Sequence, residues 1–277
     1  MKKELYELVL SHRKIVVITG AGISTASGIP AYRDATGAWQ HSQPMQYQDF
    51  VSSELARKRY WARSALGRNR FKKAVPNTAH LALARLEELG LVKLLITQNV
   101  DGLHQLAGQK NMIDLHGSLD QVICLDCGEA IERDEVQTYL MQRNSFLVSL
   151  DSALLPDGDA KIDDIDFSGL DIPDCLHCHG RLKPDVVFYG ENVPRARVDA
   201  SFAALNECDA LLVVGSSLMV YSGFRFVRFA HAKGIPVLAI NQGLTRADNL
   251  LQLKIEEDCA RVLDELVGCI ESATQLS

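Results

Sequence analysis

Four apolar runs, each cut off by small or polar residues, leave this chain few folds to adopt. Lys14 to Thr19 stops at Gly20, and Leu91 to Thr97 stops at Gln98-Asn99. Ala210 to Val214 stops at Gly215-Ser216-Ser217, and Ile235 to Ile240 stops at Asn241-Gln242-Gly243. A run rich in β-branched residues with no polar alternation has no solvent face, so it reads as a strand buried on both sides of a parallel sheet. Helical patterns lie between the runs. Asn77 can cap a helix carrying Ala79, Ala82, Leu83 and Leu86 that ends at Gly90. Val198, Phe202 and Leu205 precede the third run, and Val262, Leu263, Leu266, Val267 and Ile270 form a C-terminal amphipathic helix. Alternating strand and helix implies right-handed crossovers, an α/β class and a doubly wound Rossmann-like parallel sheet that binds its ligand beyond the carboxyl ends of its strands.

One segment breaks this rhythm. Cys124 with Cys127, and Cys175 with Cys178, form two CxxC pairs able to close a tetrahedral thiolate shell around one structural Zn²⁺. The expected organisation is a Rossmann-like domain from 1–120 and 184–277, with a smaller inserted zinc-binding domain at 121–183. The Asp-rich stretch from Asp151 to Asp174 is expected to be a solvated surface loop. With four of seven cysteines in knuckles, a disulfide framework is the weaker reading and a reducing cytoplasm the better one. Cys208 and Cys269 read as small buried side chains. A net charge of −6 without a polybasic arm argues against a nucleic-acid partner. Met1-Lys2-Lys3 is followed by Glu4 and Glu7 rather than by an apolar run, and no stretch is long enough to span a membrane.

The tips of the runs carry the candidate chemistry. Thr19-Gly20-Ala21-Gly22-Ile23-Ser24 partly matches the dinucleotide-binding turn, but Thr25 stands at the third glycine position. No clear strand-terminal acid follows about twenty positions on, as hydride-transfer enzymes require. Backbone N–H groups and hydroxyls suit phosphates, whereas amides and Asp101 suit ribose hydroxyls and a carboxamide. Taken together, the four tips describe a nucleotide cleft. His116 is the nearest candidate base, and His80 and His104 read as packing or hydrogen-bonding residues.

Several motifs in order carry a resemblance over nearly the whole chain. Gly20-Ala21-Gly22-Ile23-Ser24, Gly28-Ile29-Pro30-Ala31-Tyr32-Arg33, Thr97 to His104 and Leu115-His116-Gly117 resemble the sirtuin family. So do the cysteine pairs, Lys183 to Glu191, Gly215-Ser216-Ser217-Leu218 and Asn241-Gln242-Gly243. The resemblance implies an NAD-consuming lysine deacylase acting on acyl-lysine protein substrates. It places Gly20, Ala21, Gly22 and Ser24 on the pyrophosphate, and Gln98, Asn99 and Asp101 on the nicotinamide ribose and carboxamide. Gly215, Ser216, Ser217, Asn241 and Gly243 fall on the adenosine side, with Cys259 near the adenine. Tyr32 and Arg33 belong to a mobile loop shielding the reacting ribose. The peptide is expected to add as a strand along Val186 to Glu191, with Val186, Phe188, Gly190 and Glu191 near the acyl-lysine.

The resemblance also implies a mechanism. Nicotinamide leaves neutral, the acyl oxygen captures the ribose, and His116 takes a proton from a ribose hydroxyl, so that O-acyl-ADP-ribose and free lysine result. Ala31 stands where many members carry Asp, and Tyr32 where many carry Phe. Tyr32 with Ala38-Trp39-Gln40-His41 and Tyr60-Trp61-Ala62-Arg63 look closest to the class II branch, which is linked to weak deacetylation, other acyl groups and ADP-ribosyl transfer. Protein mono-ADP-ribosyl transfer and a non-catalytic zinc-ribbon nucleotide sensor are the alternative readings.

Overall fold

The computed structural model describes residues 2–40, 44–149, 153–154, 159–161 and 165–275. In chain order its strands are β1 (Ile15–Thr19), β2 (Val92–Thr97), β3 (Met112–Asp114), β4 (Gly117–Cys124), β5 (Ala130–Glu132), β6 (Ala153–Leu154), β7 (Ala160–Lys161), β8 (Leu182–Val186), β9 (Ala210–Val214), β10 (Val237–Ile240) and β11 (Leu253–Ile255). Six of them form one sheet in the order β11-β10-β9-β1-β2-β3, and every neighbouring pair is parallel. The first three strands, β1-β2-β3, run outward one way and the last three, β9-β10-β11, run outward the other, so the order reverses between β1 and β9. In open α/β sheets that reversal opens a crevice above the strand ends, where ligands bind.

The central strands β1, β9 and β10 are buried at every position, and β2 at all but Lys93 and Leu94, because helices cover both faces of the sheet. Val17, Leu95, Leu212 and Leu238 pack on one side with the helices Lys2–Ser11, Thr78–Glu88 and Cys259–Gln275. Val16, Ile18, Val213 and Ala239 pack on the other, with Leu205, Phe226 and Val227 from the helices Arg195–Glu207 and Tyr221–Ala232. Asn77 caps Thr78–Glu88 as expected, accepting from the Ala79 amide at 2.9 Å, while the Asn77 amide donates to His80 Nδ1 at 3.3 Å. The edge strands β3 and β11 are three residues each, too short for an apolar period to show in the sequence.

A second body holds the antiparallel sheet β5-β4-β8. Its core joins Val122, Cys124, Leu140, Leu182 and Phe188 to Phe50, Tyr60 and Trp61. The helices Tyr47–Ser52 and Glu54–Phe71 therefore pack with this sheet although they precede it by some fifty positions. Glu54–Phe71 has no apolar stripe to announce it, because its buried face includes Ala62, Ser64, Ala65 and Arg68. Arg68 is tied down by Leu119 O at 3.0 Å and by Asp120 and Asp134, each at 2.9 Å.

The Asp-rich stretch is not simply a solvated loop. Asp151, Asp157, Asp163 and Asp164 lie outside the described residues, but Phe167 and Leu170 are buried in the second core. Asp171 accepts from Tyr139 Oη at 2.9 Å and Arg143 Nε at 3.1 Å, and exchanges two 2.8 Å bonds with Asn144. Two aromatic or aliphatic anchors outweigh the charge that surrounds them. Cys208 is buried as expected, whereas Cys269 is exposed on the outer face of the last helix.

The two bodies meet at Gly117, which follows β3 and opens β4. Its φ is +86°, and a Cβ there would stand 1.8 Å from Asp185 O. Gly117→Ala is therefore expected to cost at least about 2 kcal/mol of stability, measurable by denaturant unfolding, because the left-handed backbone and the close strand approach act together.

Candidate active site

The polar tips of the strands converge on one cleft of about 540 Å³. Gly20, Ala21, Gly22 and Ser24 after β1, Gln98, Asn99 and Asp101 after β2, and His116 after β3 all line it. Gly215, Ser216 and Ser217 after β9, Asn241 after β10 and Cys259 at the last helix face the same space. Gly243 does not line it. A Cβ at that position would meet Ala35 O at 2.3 Å, so Gly243 lets the loop after β10 close against the segment carrying Tyr32 and Arg33.

Glycine at the first turn is dictated by its neighbour. The Gly22 amide donates to Gly215 O at 2.8 Å, and a Cβ on Gly22 would fall 2.8 Å from that same oxygen. A Cβ on Gly215, whose φ is +58°, would fall 2.4 Å from the Ile23 nitrogen. Two tips thus touch backbone to backbone, which brings the start of the helical turn Ala21–Ser27 to the wall of the cleft. Gln98 bridges the tips, its Nε2 donating to Ser216 Oγ at 2.7 Å.

Below the glycine turn runs a buried polar chain whose proton positions follow from its partners. His80 Nδ1 accepts from the Asn77 amide, so Nε2 carries the proton and faces Ser24 Oγ at 3.4 Å. Ser24 donates to Asp101 Oδ2 at 2.7 Å and accepts from Asn99 Nδ2 at 3.0 Å. His104 Nε2 lies 3.0 Å from Thr19 Oγ1, which donates to Thr97 Oγ1 at 2.9 Å. His80 and His104 are thus hydrogen-bonding residues, with ring centroids 4.8 Å apart.

His116 is held by both nitrogens. Nδ1 lies 2.9 Å from Gln98 O, which can only accept, so the proton is on Nδ1. Nε2 is then the basic nitrogen, and it lies 2.7 Å from Ser222 Oγ. Burial pushes His116 down to about 4, the Gln98 carbonyl opposes that shift, and Arg197 and Arg225 reinforce it. The imidazole is neutral at physiological pH, as a base must be before it acts.

These imidazoles also set an acid limit on stability. Burial pushes His80 down to about 4. It pushes His104 down to about 3, with His80 adding to the shift. The unfolded chain protonates its histidines near pH 6.5 while the folded chain resists, so the folded state is fully favoured above about pH 6.5 and loses stability as pH falls toward 4. A series of melting temperatures from pH 8 to 4.5 is expected to fall below about 6.5, and His104→Gln is expected to flatten part of that slope.

The mouth of the cleft is built by two further segments. Arg33 Nη1 donates to Gly37 O at 2.7 Å and its guanidinium lies 3.9 Å from the Trp39 ring centre. Trp39 packs edge-on against Tyr32 and Tyr189, with centroids at 6.3 and 5.6 Å. His41 lies outside the described residues. Val186, Phe188, Gly190 and Glu191 all line the cleft. Glu191 folds back onto its own loop, accepting from the Phe188 amide at 2.8 Å and pairing at 3.2 Å with buried Lys183. Lys183 Nζ also donates to Val186 O at 2.6 Å, so one buried cation pins the whole segment from below. Ser222 and Arg225 line the cleft as well. Sequence reasoning missed them because they sit inside an ordinary amphipathic helix, one and four positions after its first residue.

Away from the cleft, Cys124, Cys127, Cys175 and Cys178 place their sulfurs within 4.8 Å of one another. Cys124 and Cys178 are 3.5 Å apart, and Cys127 and Cys175 3.8 Å. A tetrahedron with Zn–S bonds of ~2.3 Å has edges of about 3.8 Å, so the donor set fits a structural zinc site. The two knuckles repeat one hydrogen-bond pattern. Gly128 N donates to Cys124 O and His179 N to Cys175 O, while Cys124 N donates to Glu129 O and Cys175 N to Gly180 O. Both turns pass through positive φ, +77° at Gly128 and +57° at His179.

Comparison with known proteins gives a consistent result. The model of the Sir2 family matches residues 20–222. NAD-dependent protein deacetylase 2 of Bradyrhizobium diazoefficiens is 53% identical over 261 residues, covering 94% of this chain and 96% of that protein. An NAD-dependent protein deacetylase of Xanthomonas axonopodis pv. citri is 53% identical over 259 residues, covering 94% and 88%. A solved Sir2 complex with a p53 peptide and NAD⁺ superposes with a TM-score of 0.75 at 30% identity, covering 100% of both chains. A mutant Sir2 homologue in complex with ADP-ribose superposes at 0.79 with 29% identity, covering 100% of this chain and 99% of that one.

Proposed function

The chain belongs to the sirtuin (Sir2) family and is an NAD-dependent protein-lysine deacylase, and from that premise we propose how its own residues carry the reaction. The observation that carries the proposal is the fixed tautomer of His116, which lines the cleft where the strand tips meet and keeps its basic nitrogen on the side away from Gln98 O. Gly20, Ala21, Gly22 and Ser24 form the turn that receives the pyrophosphate of NAD, their small side chains letting the backbone approach it closely. Gln98, Asn99 and Asp101 hold the nicotinamide ribose and carboxamide, and Gly215, Ser216, Ser217, Asn241 and Cys259 hold the adenosine, with Gly243 shaping the loop behind it. Tyr32 and Arg33 cover the ribose and exclude water. Val186, Phe188 and Gly190 receive the acyl-lysine peptide, and Glu191 with Lys183 keeps that segment in place.

Nicotinamide departs as a neutral molecule, and the acyl oxygen bonds to the ribose carbon it leaves. His116 then takes a proton from a ribose hydroxyl, whose oxygen attacks the captured acyl carbon. Lysine is released, and nicotinamide, O-acyl-ADP-ribose and free lysine are the products. The zinc site braces the second body and supplies no step. Its division at 121–183, with the helices between Tyr47 and Phe71 added by their shared core, belongs to the same proposal, as do assignment to the class II branch, action in the cytoplasm, and the absence of nucleic-acid and membrane partners. Among the described residues no helix is long and apolar enough to cross a membrane.

With acetyl-lysine peptide and NAD, the protein is expected to release nicotinamide, deacetylated peptide and O-acetyl-ADP-ribose in equal amounts, followed by mass spectrometry. NAD labelled in the adenosine separates the competing reaction: label remaining on protein marks ADP-ribosyl transfer and contradicts this account.

A further inference from the structure

The basic nitrogen of His116 does not face open space. Ser222 Oγ sits 2.7 Å from Nε2, the serine is 8% exposed, and it lines the cleft beside His116. The opposite nitrogen is committed to Gln98 O, so Nε2 holds the only lone pair of the ring, and Ser222 covers it. A hydroxyl is both donor and acceptor. It can give its proton to Nε2 while accepting one from a group on its other side.

The helix Tyr221–Ala232 fixes this contact rather than leaving it to chance. Ser222 is its second residue, and Gly223 lets the helix approach Gln98 so closely that a Cβ there would lie 2.6 Å from Gln98 Oε1. The same Gln98 thus abuts the helix with its side chain and holds the imidazole with its carbonyl. The charged groups around the pair are Arg225 on the same helix, and Arg197 on Arg195–Glu207, whose Nη2 donates to Asp185 at 2.8 Å. No carboxylate bonds His116 itself among the described residues, so Ser222 is its proton partner.

We propose that Ser222 relays the proton from the ribose hydroxyl to His116 during acyl transfer. The ribose O–H bond breaks as its proton passes to Ser222 Oγ, the Ser222 O–H proton passes to Nε2, and the ribose oxygen forms its bond to the acyl carbon. Serine ends neutral, and the imidazole ends as the cation, ready to return its proton to the departing lysine nitrogen. The relay rests on the assignment of His116 as base.

The test uses the intact enzyme with acetyl-peptide and NAD. Nicotinamide exchange reports the steps before proton transfer, and product formation reports the steps through it. Ser222→Ala is expected to keep exchange and slow deacylation about 10- to 100-fold. Its rate plotted against deuterium fraction is expected to become linear, where the native enzyme gives a bowed curve from two protons in flight. Ser222→Thr, which keeps the hydroxyl, is expected to restore the rate and the curvature. Deacylation by Ser222→Ala at the native rate overturns the relay, and so does loss of exchange in parallel with deacylation, which marks a purely structural role. His116→Ala separates the two claims: full deacylation by that variant sinks the base assignment, whereas a dead His116→Ala beside a fully active Ser222→Ala sinks the relay alone.

Discussion

His116→Ala is expected to lower NAD-dependent deacylation of a lysine peptide by about 10²- to 10⁴-fold, the range general-base help contributes. The fold is expected to survive, because the ring is half-buried at the cleft and makes only two hydrogen bonds among the described residues, to Gln98 O and Ser222 Oγ. Nicotinamide exchange needs no base and is expected to persist. That pairing of a lost product with a retained exchange distinguishes a missing proton acceptor from a collapsed cleft. Near-native deacylation by this variant would remove the chemical role assigned here to the imidazole.

The largest expected effect on stability lies in the other body. Cys175→Ser removes one of four thiolates from a cluster whose sulfurs lie within 4.8 Å. Structural zinc contributes on the order of 10 kcal/mol of folding free energy, comparable to the whole stability of a domain. The variant is expected to lose its one equivalent of zinc by elemental analysis and to melt well below the native protein, with activity failing as β4 and β8 loosen. These two strands carry Gly117 and Val186, which pair across the join between the bodies. Exposed Cys269 is the internal control, and Cys269→Ser is expected to change neither zinc content nor melting temperature. Full zinc content and native stability in Cys175→Ser would refute the structural role.

The parts legible in the sequence are those where one physical demand acts alone. Val16, Val17 and Ile18 are fully buried, and a strand covered on both faces must be apolar throughout, so β1 and its neighbours announce themselves. The cysteine spacing does so too, because four thiolates around one ion tolerate little else. Strand-end residues such as Gly20, Asn99, Ser216 and Asn241 follow once the strands are placed. The illegible parts are those set by long-range fit. Glu54–Phe71 buries Arg68 through partners on β4 and on the helix Arg133–Arg143, which no local period reveals. Phe167 and Leu170 dock within an acidic stretch whose composition suggests solvent. Ser222 becomes visible only when a helix beginning after β9 meets a histidine after β3, 106 positions away.

The central claim is that separate strand tips enclose a single NAD site with its reacting ribose at His116. A crystal structure with ADP-ribose and an acetyl-lysine peptide tests it most directly. The account predicts the pyrophosphate on the Gly20–Ser24 turn and a ribose hydroxyl within about 3.2 Å of His116 Nε2 or Ser222 Oγ. Nucleotide bound elsewhere, or in this cleft with its nicotinamide-side ribose turned away from both groups, contradicts it.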